Sequence, residues 1–358
     1  MSFRGDAVRI AGAGISGLTA AINLANNGYD VVVYEKKKSF TGNNICAVRN
    51  YDLPKDALKE FRECGVDLEP QSKVRKVVKS SPNCSTKEYS KKTIFYIFER
   101  GSSKNSIENQ LYRQAKSLGV KIFMGKPVNE KKVDIVATGN TRVDIYAYGH
   151  TYKNLDVPQD TTYIIYDNLY APNGYIYVLT ANRRTVIVSV AFDRKKFEYL
   201  HVNFSIFLRK NEFIRNLIGR REPVGRITGS GNYDIVSTAK DRGRYYIGER
   251  GFFMDASKGF GIRYAIITGH LVAESIVNNF DYDKLWKHSF KEEMKRNFKR
   301  RILLRTFTNK DYDLMLRRMG SKVNIEGYLK ETRKLKRHID LFFPLYIWKW
   351  KLGKRFSV

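Results

Sequence analysis

The sequence predicts an α/β protein in which a dinucleotide-binding domain carries an antiparallel β-sheet domain and a helical C-terminal region. Three observations predict it. Residues 8–35 place a G-x-G-x-x-G between an apolar run and a helix-period segment, then close on a β-branched run that ends in an acid. Residues 161–192 hold three β-branched and aromatic runs separated by short polar turns. After Gly261, apolar side chains recur at helical spacing.

The N-terminal stretch has a mechanical reading residue by residue. Val8 to Ala11 form the strand, and Gly12, Ala13, Gly14, Ile15, Ser16 and Gly17 form the turn into a helix. Gly12 permits the tight turn, Gly14 lets a pyrophosphate approach the backbone, and Gly17 lets helix and strand pack closely. The helix N-terminus offers N–H groups and positive dipole to that phosphate. Leu18, Ile22 and Ala25 share one helix face, and Gly28 ends the helix. Glu35, followed by Lys36, closes the second strand where a ribose diol is held.

Composition narrows the class. The chain has 358 residues, enough for a large domain and a smaller one, and its 42% hydrophobic content supports a packed core. No 18-residue apolar run is present, so no membrane-spanning helix is expected, and the N-terminus shows no signal-peptide pattern. Cys46, Cys64 and Cys84 form no paired framework, which fits a reducing compartment. The five histidines show no ligand spacing, so no protein-built metal site is expected. A formal charge of +29 favours anionic partners. No nucleic-acid-binding signature accompanies it, so nucleic acid is not the expected partner. A generally basic proteome or a high-temperature host explains the charge equally well.

The remaining elements follow in order. Leu58–Gly65 reads as a short helix stopped by glycine, and Ser80–Thr86 as a turn or edge loop. Thr93–Phe98 is a strand running to Glu99, Arg100 and Gly101. Asn105 or Ser106 then caps a helix, with Glu108 in capping-box spacing from Asn105. That helix turns Ile107, Leu111, Ala115 and Leu118 to one side and ends at Gly119. Val120–Met124 and Val133–Gly139 are strands, the second closing on Ala137, Thr138 and Gly139. Residues 161–192 form an antiparallel meander. Gly243–Gly248 is a short strand, Glu249–Gly259 a loop, and Gly261–Asn278 a helix. Next comes a basic amphipathic helix with Trp286, Phe290, Met294, Phe298 and Ile302 at every fourth position. Such a stripe is more often core packing than a cofactor box. Residues 333–356 interleave lysine and arginine with tryptophan, tyrosine and phenylalanine. This pattern suits a membrane interface, and equally a tail docked on the protein itself. The expected units are 1–150 with 225–280, 151–224, and 281–358.

The N-terminal fingerprint, the Val133–Gly139 strand and the segment Tyr246–Gly269 together resemble the FAD-dependent geranylgeranyl reductase family. That family lies within the para-hydroxybenzoate-hydroxylase-like flavoprotein group, and the resemblance covers roughly residues 5–280. It implies a glutathione-reductase-like, Rossmann-type FAD-binding domain, an antiparallel β-sheet substrate domain and a helical C-terminal region. It implies FAD as cofactor, with the ADP half on the glycine turn, Glu35 and Lys36. Arg100, Val128, Ala137, Thr138 and Gly139 border the cofactor by the same resemblance. Gly248, Glu249, Gly259, Gly261 and Ile262 line its ribityl and isoalloxazine half. Ile45 and Cys46 belong to a loop near the ring, and Cys46 is the candidate catalytic residue. On sequence alone an ordinary buried thiol is the commoner case. The Gly174–Tyr177 strand resembles the sheet behind a substrate cavity. The chain departs from the family at Glu249 and Thr138, where the family has aspartate. Arg250 follows Glu249, offering a charge contact to phosphate.

The activity implied is hydride transfer from reduced flavin to C=C bonds of an isoprenoid lipid chain. A flavin monooxygenase, or a non-redox or degenerate relative, is the alternative. No second nucleotide fingerprint is present, so the expected electron donor is an acidic ferredoxin-like protein or transiently bound NAD(P)H. An anionic membrane surface is a further expected partner. The expected location is the cytoplasm, peripheral at the inner face of the membrane.

Overall fold

The computed structural model describes residues 7–324 apart from 51, 52 and 54. Its first elements are β1 (Val8–Ala11), α1 (Ile15–Asn26), β2 (Val31–Glu35), β3 (Asn43–Arg49), α2 (Ala57–Glu63), β4 (Ser72–Val74), β5 (Lys76–Ser80) and β6 (Ser85–Tyr89). Then come β7 (Phe95–Gly101), α3 (Ile107–Ser117), β8 (Lys121–Met124), β9 (Ile135–Val136), β10 (Ile145–Lys153), β11 (Thr161–Ile165), β12 (Tyr175–Ala181) and β13 (Arg184–Ala191). They are followed by α4 (Leu200–Lys210), α5 (Glu212–Ile218), β14 (Gly225–Gly231), β15 (Lys240–Asp241) and β16 (Arg244–Tyr246). The last are α6 (Ile262–Asn278), α7 (Tyr282–Leu304), α8 (Asn309–Met319) and β17 (Lys322–Asn324).

The described residues form three sheets. The first runs β15-β16-β9-β1-β2-β8 and is parallel except at the β15–β16 hairpin. Its strands at β1 and β9 are almost wholly buried, as parallel strands covered on both faces must be. Helix α1 packs between α3 and α6 over this sheet. Leu18, Leu24 and Ile22 join Val8, Ile10 and Val33 in its core. Each such buried aliphatic side chain contributes about 1.5–3 kcal/mol.

The second sheet has eight strands in the order β14-β10-β13-β12-β11-β5-β6-β17. It is antiparallel apart from the β11–β5 and β6–β17 pairs. The meander expected over residues 161–192 is its centre. Its neighbours come from outside the expected 151–224 unit. β5 and β6 lie before it in sequence, β10 begins at Ile145, and β14 and β17 come after it. A lone three-stranded meander exposes two unpaired edges, and these distant strands cover them. Within 151–224 the chain is not all β either. Helices α4 and α5 place Phe204, Phe207 and Ile214 against Tyr152, Val178 and Ile187 on one face of the sheet. The third sheet, β3-β7-β4, is antiparallel.

Two local expectations change. Ser106, not Asn105, caps α3, its hydroxyl accepting the Asn109 N–H at 3.2 Å. Glu108 makes no capping box, because its carboxylate binds Arg100 instead. Leu118 is exposed, since it falls at the C-cap beyond the last buried turn. On α7 the aromatic stripe is core: Trp286, Phe290, Met294 and Phe298 are buried. Phe253 meets Trp286 and Phe290 edge-on at 5.2 and 5.5 Å. The basic aromatic segment 333–356 lies outside the described residues.

Candidate functional site

The carboxyl ends of β1, β2 and β9 open on a long cleft of about 640 Å³. This is where a ligand binds in an open parallel sheet. Gly12 turns the chain at φ +104°, and a Cβ there would lie 2.3 Å from the Ala137 carbonyl oxygen. At Gly17 a Cβ would lie 2.0 Å from the Gly12 carbonyl oxygen. Those two positions are tight because strand, turn and helix touch. Gly14 differs: nothing lies within 4 Å of its would-be Cβ. It is the N-cap of α1 and carries no side-chain cap, so the helix N-terminus faces the cleft bare. Glu35 sits beside it. Its carboxylate accepts the Ala13 and Lys37 backbone N–H groups, both at 2.9 Å, and is thereby fixed at the cleft.

The opposite wall is built by Arg100, Val128 and residues Ala137 to Asn140. Arg100 Nε donates to Glu108 Oε1 at 2.6 Å, and the other Glu108 oxygen accepts the Gly101 N–H. Glu108 thus orients the arginine and keeps it firmly cationic. Thr138 donates to Glu130 at 2.6 Å. Arg250 binds the same Glu130 at 2.8 Å and stacks over Tyr246. Arg250, offered for a charge contact to phosphate, does not border the cleft, and its guanidinium is engaged by Glu130. The hydrogen bonds to Arg250 and Thr138 hold the Glu130 carboxyl below its usual range.

At its far end the cleft meets the N-terminus of α6. Gly261 caps that helix without a side-chain hydrogen bond, so the dipole of about half a charge points into the site. Gly259 bends the preceding loop at φ +78°. Asp255 shapes this loop. It accepts from Arg49 at 3.2 Å and from the Ser257 hydroxyl and N–H, while its backbone brackets Gly259 and Phe260. Glu249 Oε1 lies 3.4 Å from the would-be Cβ of Gly261. Burial pushes its carboxyl up to about 7, with Arg100 pulling the other way.

A second, smaller space of about 270 Å³ adjoins this end. It shares Arg100, Ser230, Glu249, Gly261 and Ile262 with the cleft. Its floor is the second sheet, seen through Ala147, Ile164, Tyr175, Tyr177, Leu179 and Val190. Strand register places these on one face: Ile164 opposes Tyr177, and Tyr177 opposes Val188. Cys46 on β3 lines the same space. Its thiol donates to the Phe98 carbonyl at 3.6 Å, and burial pushes it up to about 11. Cys46 is therefore a neutral thiol at physiological pH, not a nucleophilic thiolate.

Most of the expected residues meet here. Gly12, Ala13, Gly14, Ile15, Ser16, Glu35, Lys36, Arg100, Val128, Ala137, Thr138, Gly139, Glu249, Gly261 and Ile262 border the cleft, and Cys46 and Gly259 border the cavity. Three do not. Gly17 lies behind the turn. Gly248 is buried against the Ser16 side chain, its N–H donated to Thr268. Ile45 points away from Cys46 into the second core, because neighbouring strand residues face opposite sides. Asn140 and Ser230, hydrogen-bonded at 3.0 Å where the two domains meet, were not expected. Nothing in either local sequence marks a pair that forms 90 residues apart.

Residues 10–55 match the family described as NAD(P)-binding Rossmann-like domain. The fold is similar to a geranylgeranyl bacteriochlorophyll reductase-like protein from Thermoplasma acidophilum. That likeness covers 93% of this chain and 97% of the other at 18% identity, with a TM-score of 0.74. A flavin-dependent brominase is similar over 87% of this chain and 89% of its own at 15% identity, TM-score 0.62. The protein CtdE, solved in complex with FAD and a substrate, is similar over 86% and 90% at 14% identity, TM-score 0.58. At these identities the likeness is one of fold, and the fold is that of the FAD-binding flavoprotein group.

Proposed function

We propose that this chain is an FAD-dependent oxidoreductase that reduces C=C bonds of isoprenoid lipid chains. One observation carries the reading: a dinucleotide cleft runs directly into an apolar cavity, and the two share a wall at the N-terminus of α6. The residues present fit FAD. The open space at Gly14 and the bare start of α1 accept a pyrophosphate, and the fixed Glu35 carboxylate accepts ribose hydroxyls. The positive end of α6 suits the ring edge where negative charge gathers on reduction.

A bound flavin supplies the hydride. The protein's own part is placement and exclusion of water. An isolated alkene is a poor hydride acceptor, so it has to be held closely against the donor, and that alignment is the main source of rate. Val190, Ile164, Leu179 and the two tyrosines give the chain an apolar bed. Cys46 stays protonated there and presents no charge to the lipid. Electrons come from an acidic ferredoxin-like protein or NAD(P)H, the former favoured by the charge of +29. The same charge draws the protein to an anionic membrane, where such a lipid resides. No helix among the described residues is long and apolar enough to cross a membrane.

The test is the anaerobic visible spectrum with added geranylgeranyl lipid. The expected protein shows oxidised flavin, bleaches with dithionite, and recovers its colour when the lipid is added. Flavin that stays reduced until oxygen enters moves the assignment to an oxygenase. A protein that takes up no flavin refutes the cofactor reading.

A further inference from the structure

Four acidic side chains line the cavity: Cys46, Tyr175, Tyr177 and Glu249. Three are engaged. The Cys46 thiol donates to Phe98. The Tyr175 hydroxyl donates to the Lys258 carbonyl at 2.5 Å. Glu249 borders cleft and cavity alike, beside Gly261, so a dinucleotide filling the cleft covers it.

Tyr177 is different. It stands on β12, on the cavity face, and borders the cavity without bordering the cleft. Its hydroxyl has no hydrogen-bond partner among the described residues. The residue is half-buried and its hydroxyl is not among the fully enclosed polar atoms, so it opens into the cavity, where a ligand can meet it. Nearby, Ile164, Leu179 and Val190 supply only hydrocarbon. Burial, with a smaller contribution from Cys46, raises the phenol above its ordinary range, so it is fully protonated at any working pH.

We propose that Tyr177 is the proton donor of the reduction, an assignment that rests on reading the chain as an alkene reductase. Reduction of C=C needs one hydride and one proton. The hydride, with its electron pair, leaves the reduced flavin and forms the first C–H bond as the π bond breaks. The proton on the Tyr177 oxygen forms the second, leaving a phenolate that recovers its proton from water once product departs. The flavin is returned to its reduced form by the external electron donor. The hydride enters from the wall shared with the cleft, and Tyr177 stands on the sheet.

Tyr177→Phe deletes one oxygen and no packing volume. We expect holoprotein of this variant to keep normal flavin content and dithionite bleaching, while recovery of colour with geranylgeraniol in detergent slows about 100-fold. Cys46→Ala, measured alongside, is expected to be slowed far less. An unslowed Y177F enzyme, or one slowed no more than Cys46→Ala, overturns the assignment while leaving the reductase reading intact. Wild-type flavin that no prenyl chain reoxidises overturns the reductase reading and this assignment with it.

Discussion

Gly12, Gly14 and Gly17 share one turn but answer to different constraints. Gly17 is glycine because a Cβ would strike the Gly12 carbonyl oxygen. Gly14 has extended backbone, φ −77° and ψ −175°, that any residue adopts, and open space in front of it. Its smallness serves only a ligand. Gly17→Val should therefore lower stability by about 1–3 kcal/mol or more through overpacking, read from thermal melts of the flavin-free protein. Gly14→Val should melt like wild type and yet purify without flavin. A Gly14→Val protein with normal flavin content would remove Gly14 from the cofactor site. Glu249 makes a second residue-scale prediction. Its carboxyl is raised from 4.5 to about 7. The flavin-free fold thus binds this proton more tightly than the unfolded chain does. Its contribution to stability is complete below pH 4.5, falls as pH rises to about 7, and is flat beyond. Glu249→Gln should abolish that fall and exceed wild type by up to about 3 kcal/mol at pH 8. Urea melts at pH 5 and 8 decide it, and a variant difference independent of pH would count against the buried carboxyl.

Helices α1 and α6 carry the two positive ends of the cleft, and they touch at Gly269. A Cβ there would lie 2.6 Å from the Ser16 carbonyl oxygen and 2.8 Å from the Thr19 side chain. This crossing fixes the spacing between the two N-termini. Gly269→Ala should push the helices apart and weaken FAD binding about tenfold, some 1.4 kcal/mol. ADP engages only the α1 end, so its affinity should be unchanged. Calorimetric titration with both ligands checks this, and equal losses for both would mean that the crossing sets no spacing. The sequence shows such elements unevenly. The βαβ unit and α7 are legible because their signals are local: glycine spacing, then an apolar residue every fourth position. Strands β5 and β6 are not, because Lys76–Ser80 is held by parallel pairing with β11, far along the chain, as well as by its local hairpin with β6. Glu108 is misread for a similar reason. Capping-box spacing is a local clue, and Arg100 outcompetes it only once β7 and α3 are folded together.

For the whole molecule, the cofactor cleft was largely readable, while of the cavity beyond it only the Gly174–Tyr177 strand, Cys46 and Gly259 were. Many cleft residues fall in short segments with recognisable spacing, such as 11–16, 34–37 and 137–139, while Arg100, Val128 and Ser230 join from elsewhere. The other cavity residues come a few at a time from β3, β7, β10, β11, β13, β14 and the loop before α6, and only pairing order brings them together. The wall common to both spaces carries a consequence for the order of assembly. Arg100, Ser230, Glu249, Gly261 and Ile262 bound both spaces, so a dinucleotide laid along the cleft completes the chamber that receives the second ligand. A ligand in the cavity and the cofactor are then thermodynamically linked. Whatever factor the seated dinucleotide adds to the affinity for the second ligand, that ligand adds to the affinity for the dinucleotide. Scarcity of the second ligand would then leave the cofactor less firmly held, and its arrival would help to retain the cofactor.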